Sequence, residues 1–274
     1  MGFEPDRIFS SFKECVDFLL NEAIRDPWIE RWSSRQSGVV APEVLPRYLY
    51  RGESGCFETT LCGEDRPDAY IVKGSSKRRL TSDDRTKLKH LLGALLWQLQ
   101  HKEDYNLNAH EALGFLQHYG IPTRLTDFSA DLPCALAFAA SGQREPVGRI
   151  AVMQWPESSR YVTIHQFWDH PWANRAQRQK AVGVSTVKGL DDFKSDRTRS
   201  ILGLKWYQFP VGDDEREHFQ AKKAELLNYR DDEVAGSLRL HITEYVEARG
   251  KLSPALTNWL LAKIPIAARA FLVK

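Results

Sequence analysis

Apolar and polar positions alternate along this chain in two periods, one helical and one strand-like. From Ser11 to about Arg25, Phe12, Cys15, Val16, Leu19, Leu20 and Ala23 recur every three or four residues. That spacing predicts an amphipathic helix, which Pro27 ends. Thr81 and Asp84 have the spacing of a capping box. Leu88, Leu91, Leu92, Leu95, Leu96 and Leu99 then line one face of a long helix. Asn108, with Glu111 three positions on, opens another helix through Gln117, and Gly120 and Pro122 stop it. Ser129 is the expected cap of a third helix, with Pro133 in its first turn and Ala135, Leu136, Phe138 and Ala139 in its body.

Strand-like runs follow at 148–155, 161–167, 181–187 and 206–209, rich in β-branched and aromatic residues. Upstream, Tyr48, Leu49 and Tyr50 form a short strand ending at Arg51 and Gly52. Residues 34–46 read as a loop, and residues 53–80 as loops around a strand at 70–72. Residues 213–229 form a charged amphipathic helix and 254–264 an apolar one, while 238–245 fit either helix or strand. The pattern predicts an α+β fold with a mixed, split sheet and helices packed against it. Residues 1–40 are expected to be a helical N-terminal extension, and 231–274 a C-terminal extension on the core.

Composition adds limits. Hydrophobic residues at 42% and charged residues at 27% place the chain with folded rather than disordered proteins. A net charge of +2 gives no global field toward nucleic acid or membranes. Basic residues do cluster locally, at Lys73, Lys77, Arg78 and Arg79 and again at Arg175, Arg178 and Lys180. The four cysteines match no zinc spacing, and Cys15 and Cys134 sit among apolar residues as small core side chains. Cys56 and Cys62 could pair only in an oxidising compartment. The N-terminus has no secretory pattern and no run of apolar residues is long enough to span a bilayer. The expected compartment is the cytoplasm, without a membrane partner.

Several catalytic signatures are missing: a phosphate-cradling GxxxxGK[ST], a GxGxxG after a strand, HExxH and GxSxG. His165 and His170 are a weak metal pair, so no metal is expected. Polar groups crowd instead into 117–129, where His118, Tyr119, Thr123, Arg124, Asp127 and Ser129 can each donate or accept. Arg124 and Asp127 could pair. Taken singly, each residue serves a structural turn: Gly120 ends a helix, Pro122 stiffens, Asp127 and Ser129 cap. Taken together, on a connection between two helices, they favour a site.

At this point the residues resemble a known family. Tyr50, Arg51 and Gly52 resemble the aromatic-Arg-Gly signature of the FRG domain. Residues 117–128 resemble its longer block, of the form QHYGxPTRLxD followed by an aromatic, and 133–139 its ensuing helix. Residues 174–181 resemble a third block, in which Gln177 or Gln179 stands four or so residues after an Arg. The resemblance covers about residues 45–230.

More distantly, the order of the three blocks resembles that of ADP-ribosyltransferases. That resemblance implies NAD as co-substrate, bound by Arg51, Gly52, Tyr119, Thr126, Phe128 and Ser129. It also implies chemistry by Asp127, His118 and Gln179, with Gln where such enzymes carry Glu. Arg51 and residues 118–129 are then expected to converge on one cleft, with Gln179 across from them. Arg175, Arg178 and Lys180 would guide an RNA or protein acceptor, in a toxin or defence effector that an antitoxin-like protein restrains. The alternatives are a non-catalytic nucleotide-binding or protein-interaction module, and a hydrolase or nuclease using His118 and Asp127.

Overall fold

The computed structural model describes residues 3–25, 27–34, 40–55, 57, 60, 70–73, 76–79, 81–101, 107, 109–118, 121, 123–142, 145–155, 160–166, 174–187, 190, 192–227, 233–249 and 252–263. In chain order the elements are β1 (Arg7–Ile8), α1 (Phe12–Phe18) running into a π-helical turn (Leu19–Ala23), β2 (Trp28–Ser34), β3 (Val40–Pro46) and β4 (Tyr48–Glu53). Next come β5 (Tyr70–Lys73), β6 (Ser76–Arg79), α2 (Ser82–His101), α3 (Ala109–His118), β7 (Thr126–Ser129), α4 (Leu132–Ala140), β8 (Val147–Gln154) and β9 (Val162–Gln166). The chain continues through α5 (Asn174–Gln179), β10 (Ala181–Thr186), α6 (Asp196–Leu202), β11 (Lys205–Pro210), α7 (Asp213–Leu226), α8 (Glu233–Arg249) and α9 (Pro254–Lys263).

The fold is α+β. A seven-stranded sheet has the order β1-β11-β8-β4-β7-β10-β9, and β2–β3 and β5–β6 form two separate two-stranded sheets. The large sheet is mixed: β1 runs parallel to β11, whereas β11–β8, β8–β4 and β4–β7 are antiparallel. Among the described residues, no helix is long and apolar enough to cross a membrane.

Local chemistry explains most boundaries. Ser11 caps α1 by accepting from the Glu14 N–H at 3.1 Å, and the helix is finished by Ile24, short of Pro27. Thr81 and Asp84 make the expected capping box before α2, with reciprocal bonds of 2.9 and 3.1 Å. Three expectations are corrected and one open reading is resolved. Residues 40–46 are not loop but the second strand of a hairpin; Pro42 and Pro46 are tolerated because a two-stranded sheet leaves each strand an open edge. β6 was hidden by a sequence, Ser-Lys-Arg-Arg, with no apolar period. Residues 238–245 are helical, inside α8. Ser129 does not cap a helix: it ends β7, and Asp131 caps α4 through the Cys134 N–H at 2.9 Å.

Two compact units divide the chain. The first comprises Met1–Thr60, Phe128–Thr163 and Thr186–Leu226. One face of its strands presents Tyr48, Tyr50, Ile150, Val152, Tyr207 and Phe209 to Leu132, Ala135, Leu136 and Ala139 of α4 and to Cys15 and Leu19. A fully buried large apolar side chain contributes about 1.5–3 kcal/mol, so this layer anchors the unit. The alanines of α4 let it approach β4 so closely that a Cβ on Gly52 would stand 1.8 Å from the Ala135 carbonyl oxygen. α7 covers the other side of α4 through Leu226 and Phe219. Burial pushes the thiols of Cys15 and Cys134 up to about 12, as befits core side chains.

The second unit comprises Leu61–Asp127, Ile164–Ser185 and Leu227–Lys274. Leu91, Leu95 and Leu99, the inner edge of the predicted stripe on α2, pack with Leu116 of α3, Leu238 and Ile242 of α8, and Leu256 of α9.

Candidate functional site

In β4 successive side chains alternate between faces. Tyr48 and Tyr50 point into the α4 core, so Gly52 faces α4 and Arg51 and Glu53 take the opposite face. Register extends that face across two more strands. Glu53 lies opposite Arg149, which lies opposite Gln208; Arg51 lies opposite Ala151, which lies opposite Trp206. Thus one face of the first unit's strands is apolar, and the other carries a row of charge.

The row closes around Glu53. Its Oε1 sits 3.2 Å from Arg51 Nε and accepts from the Thr60 hydroxyl at 2.7 Å. Its Oε2 accepts from Lys194 Nζ at 2.5 Å. The Lys194 side chain is 1% exposed, Glu53 5% and Arg51 15%. Lys194 also donates to the Phe57 carbonyl at 2.6 Å, which accepts from Arg149 Nη1 at 3.0 Å as well. Arg149 Nε in turn donates to Gln208 at 2.8 Å. The ammonium lies 4.8 Å from the Trp206 ring centroid and 5.1 Å from that of Phe3. Asp192 fixes the backbone around it, accepting from the Thr60 N–H at 2.8 Å and the Lys194 N–H at 3.0 Å.

Burial pushes the Glu53 carboxyl up, but Arg51, Lys194 and the bonds from Lys194 and Thr60 outweigh it. The group is held below the usual carboxylate range. For Lys194 burial wins: its ammonium loses its proton more readily than an ordinary lysine, Glu53 opposing that shift and Arg149 and Arg51 adding to it. The Glu53 shift favours the charged carboxylate while burial works against the charged ammonium, and it is the geometry, Nζ at 2.5 Å from Oε2, that makes the two an ion pair.

Phe128 shares this face, because Ser129 stands opposite Tyr50. Its ring meets Phe193 at 5.4 Å and is buried, so packing accounts for it. Ser129 is likewise occupied: its hydroxyl accepts from the Asp131 N–H at 2.9 Å and donates to the Asp131 carbonyl at 3.1 Å. Gly52 is explained by the close approach of α4.

In the second unit, Gln117 organises the turn after α3. Its Oε1 accepts from the Thr123 hydroxyl at 2.6 Å and its Nε2 donates to Asp127 at 3.3 Å. Thr123 in turn accepts from the Leu125 N–H at 3.1 Å. Gln117 and Thr123 are buried, Asp127 is half-buried and Arg124 is exposed. Thr126 Oγ1 is buried without a hydrogen-bond partner among the described residues. Gln179, at the end of α5, is 6% exposed, whereas Arg178 and Lys180 are exposed. Lys180 adopts φ +43°, a left-handed conformation that usually falls to glycine.

Residues 46–147 match the FRG domain family. The FRG segment runs from the last residue of β3 to the first of β8, and so includes both the Tyr50-Arg51-Gly52 signature and the 117–129 block. The third block, 174–181, lies beyond it. No curated protein and no solved structure matches the chain.

Tyr119, His170, Cys56 and Cys62 lie outside the described residues, and the side chains of His118, His165 and Arg175 lie outside them too. Among the described residues, no group of three His, Cys, Asp or Glu side chains could hold a metal ion. Glu53, Arg149 and Lys194 were not singled out in the sequence. Glu53 carried a signal, two positions from Arg51 on a strand and hence on its face, and Arg149 is a charge inside an apolar run. Lys194 carried none.

Proposed function

We propose that this FRG-domain chain is an ADP-ribosyltransferase-like protein that transfers ADP-ribose from NAD to an RNA or protein acceptor, acting as an effector. The observation supporting this reading is Arg51: a strand-borne guanidinium, 15% exposed, pinned through Nε by Glu53. A fixed guanidinium is suited to a pyrophosphate, which it binds bidentately. In the proposed reaction the C–N bond between ribose C1′ and nicotinamide breaks, and nicotinamide leaves with the bonding pair. The acceptor nucleophile bonds to C1′, and its proton passes to a base, for which His118 is the candidate. Asp127 is the candidate carboxylate for the cationic ribose, and Tyr119 the candidate ring against nicotinamide. Arg178 and Lys180, both exposed, would meet a polyanionic acceptor. No metal is required.

A second reading has its own support. Gln179 is neutral and buried, and the resemblance to transferases would set it, or Gln177, where they carry glutamate. On that reading the domain binds a nucleotide, or another protein, without turnover.

The test is incubation with NAD and total RNA or lysate, following nicotinamide release and transfer of labelled ADP-ribose. Transfer is expected, and both Arg51→Lys and Asp127→Asn should abolish it. NAD binding without nicotinamide release selects the second reading. Folded protein that neither binds nor cleaves NAD overturns the nucleotide-based readings.

A further inference from the structure

We propose that Glu53 and Lys194 are positioning residues for Arg51, a buried relay that fixes the plane of its guanidinium. The nucleotide half of this inference rests on the proposed function; the positioning half does not. A β-strand sets only where the Arg51 Cα lies, and the long side chain beyond it has many rotamers to choose from. Glu53 Oε1 restrains the inner end of the guanidinium at 3.2 Å. A carboxylate with one occupied oxygen can still turn. Here the second oxygen is held by Lys194 at 2.5 Å, and Thr60 adds a bond to the first.

Lys194 is itself held in place. Its Nζ bonds the Phe57 carbonyl and stands over the Trp206 ring, and its backbone N–H is tied to Asp192. With 1% of its side chain exposed, it can meet no substrate directly. Whatever it does for a ligand it does through Glu53. Supporting groups of this kind determine whether a binding side chain is preorganised or merely present.

Two readouts on the full chain decide the matter: the ¹⁵N-edited resonance of the Arg51 side-chain Nε–H, assigned by its loss in Arg51→Lys, and calorimetric binding of NAD. In Lys194→Met the Arg51 resonance should move and its exchange with water accelerate. NAD affinity should fall roughly tenfold or more, as expected when a binding group is misplaced. The double variant Glu53→Gln/Lys194→Met removes both charges of the buried pair at once and so avoids the lone ammonium or carboxylate a single variant leaves, which keeps the fold should the single variant lose it. It should show the same two changes. An Arg51 resonance unchanged in either folded variant overturns the inference, as does a moved resonance with unaltered NAD affinity. If the native chain binds no NAD, the proposed function fails. The Nε–H resonance alone then decides: moved upholds the relay, unmoved overturns it.

Discussion

Lys194 donates to Glu53 across 141 positions of sequence, ammonium to carboxylate at 2.5 Å, both side chains almost wholly buried. This single bond ties the segment before α6 to the end of β4, two residues from Arg51. Deleting one partner of such a pair leaves a charge in a poor solvent, at a cost of about 3–5 kcal/mol.

Glu53→Gln and Lys194→Met should therefore each lose about that much stability in urea unfolding, and the double variant less than the sum. The Glu53 part depends on pH. A carboxyl whose folded pKa lies below its unfolded one binds fewer protons when folded. Its stabilisation is full above the unfolded value and disappears as pH falls through the folded one. The gap between native protein and Glu53→Gln should thus be widest near neutrality and close in acid. A gap independent of pH would show that the carboxylate contributes nothing as a charge.

Gly52→Ala should unfold or severely loosen the first unit. The added methyl would lie 1.8 Å from the Ala135 carbonyl oxygen and 2.7 Å from the Ala139 nitrogen, both helix backbone that cannot step aside. A cost of about 3 kcal/mol, the upper end of the overpacking range, is expected in denaturant titration. Were the glycine there only to admit a ligand, stability would hold and binding alone would fall.

Lys180→Gly should stabilise the chain by about 0.5–1 kcal/mol. A left-handed lysine costs about 1–2 kcal/mol that glycine does not, offset in part by about 0.5–1 kcal/mol of extra backbone entropy. Lys180→Ala keeps the strain and should show no gain. If the cation guides an acceptor, both variants weaken RNA binding equally, which separates charge from backbone strain.

The fold was legible where one local rule governed. The α2 stripe, the Thr81–Asp84 box and the strands β8 to β11 followed from period and capping chemistry. Where pairing across the chain decided the outcome, the sequence was silent. β1 is two residues long and exists because β11 lies beside it, and β6 is a strand only against β5. The site divides in the same way. Arg51 and the 117–129 block stood out by motif and crowding; Glu53 was not singled out, though its alternation with Arg51 on a strand was there to be read. Lys194 could not be read, since nothing near Phe193–Ser195 announces a partner at position 53. Ser129 and Phe128, prominent in the motif, are accounted for by Asp131 and Phe193.

Gln117 offers the sharpest test of how the 117–129 block is held. Its amide faces two opposite demands: the Thr123 hydroxyl and N–H need an acceptor, and the Asp127 carboxylate needs a donor. A neutral amide meets both; no carboxyl can while ionised. Gln117→Glu keeps the shape and the acceptor for Thr123, but sets a second negative charge where Asp127 had a donor. Replacing that donor by a buried like charge should cost about 1–3 kcal/mol at neutral pH. The loss should shrink in acid, when the new carboxyl takes up a proton and can donate again. Gln117→Leu loses both bonds at every pH and leaves the Thr123 N–H and hydroxyl unsatisfied. Thermal unfolding of the two variants from neutral to acid pH thus distinguishes a network that needs Gln117 as donor and acceptor from a helix end that merely needs a side chain of that size.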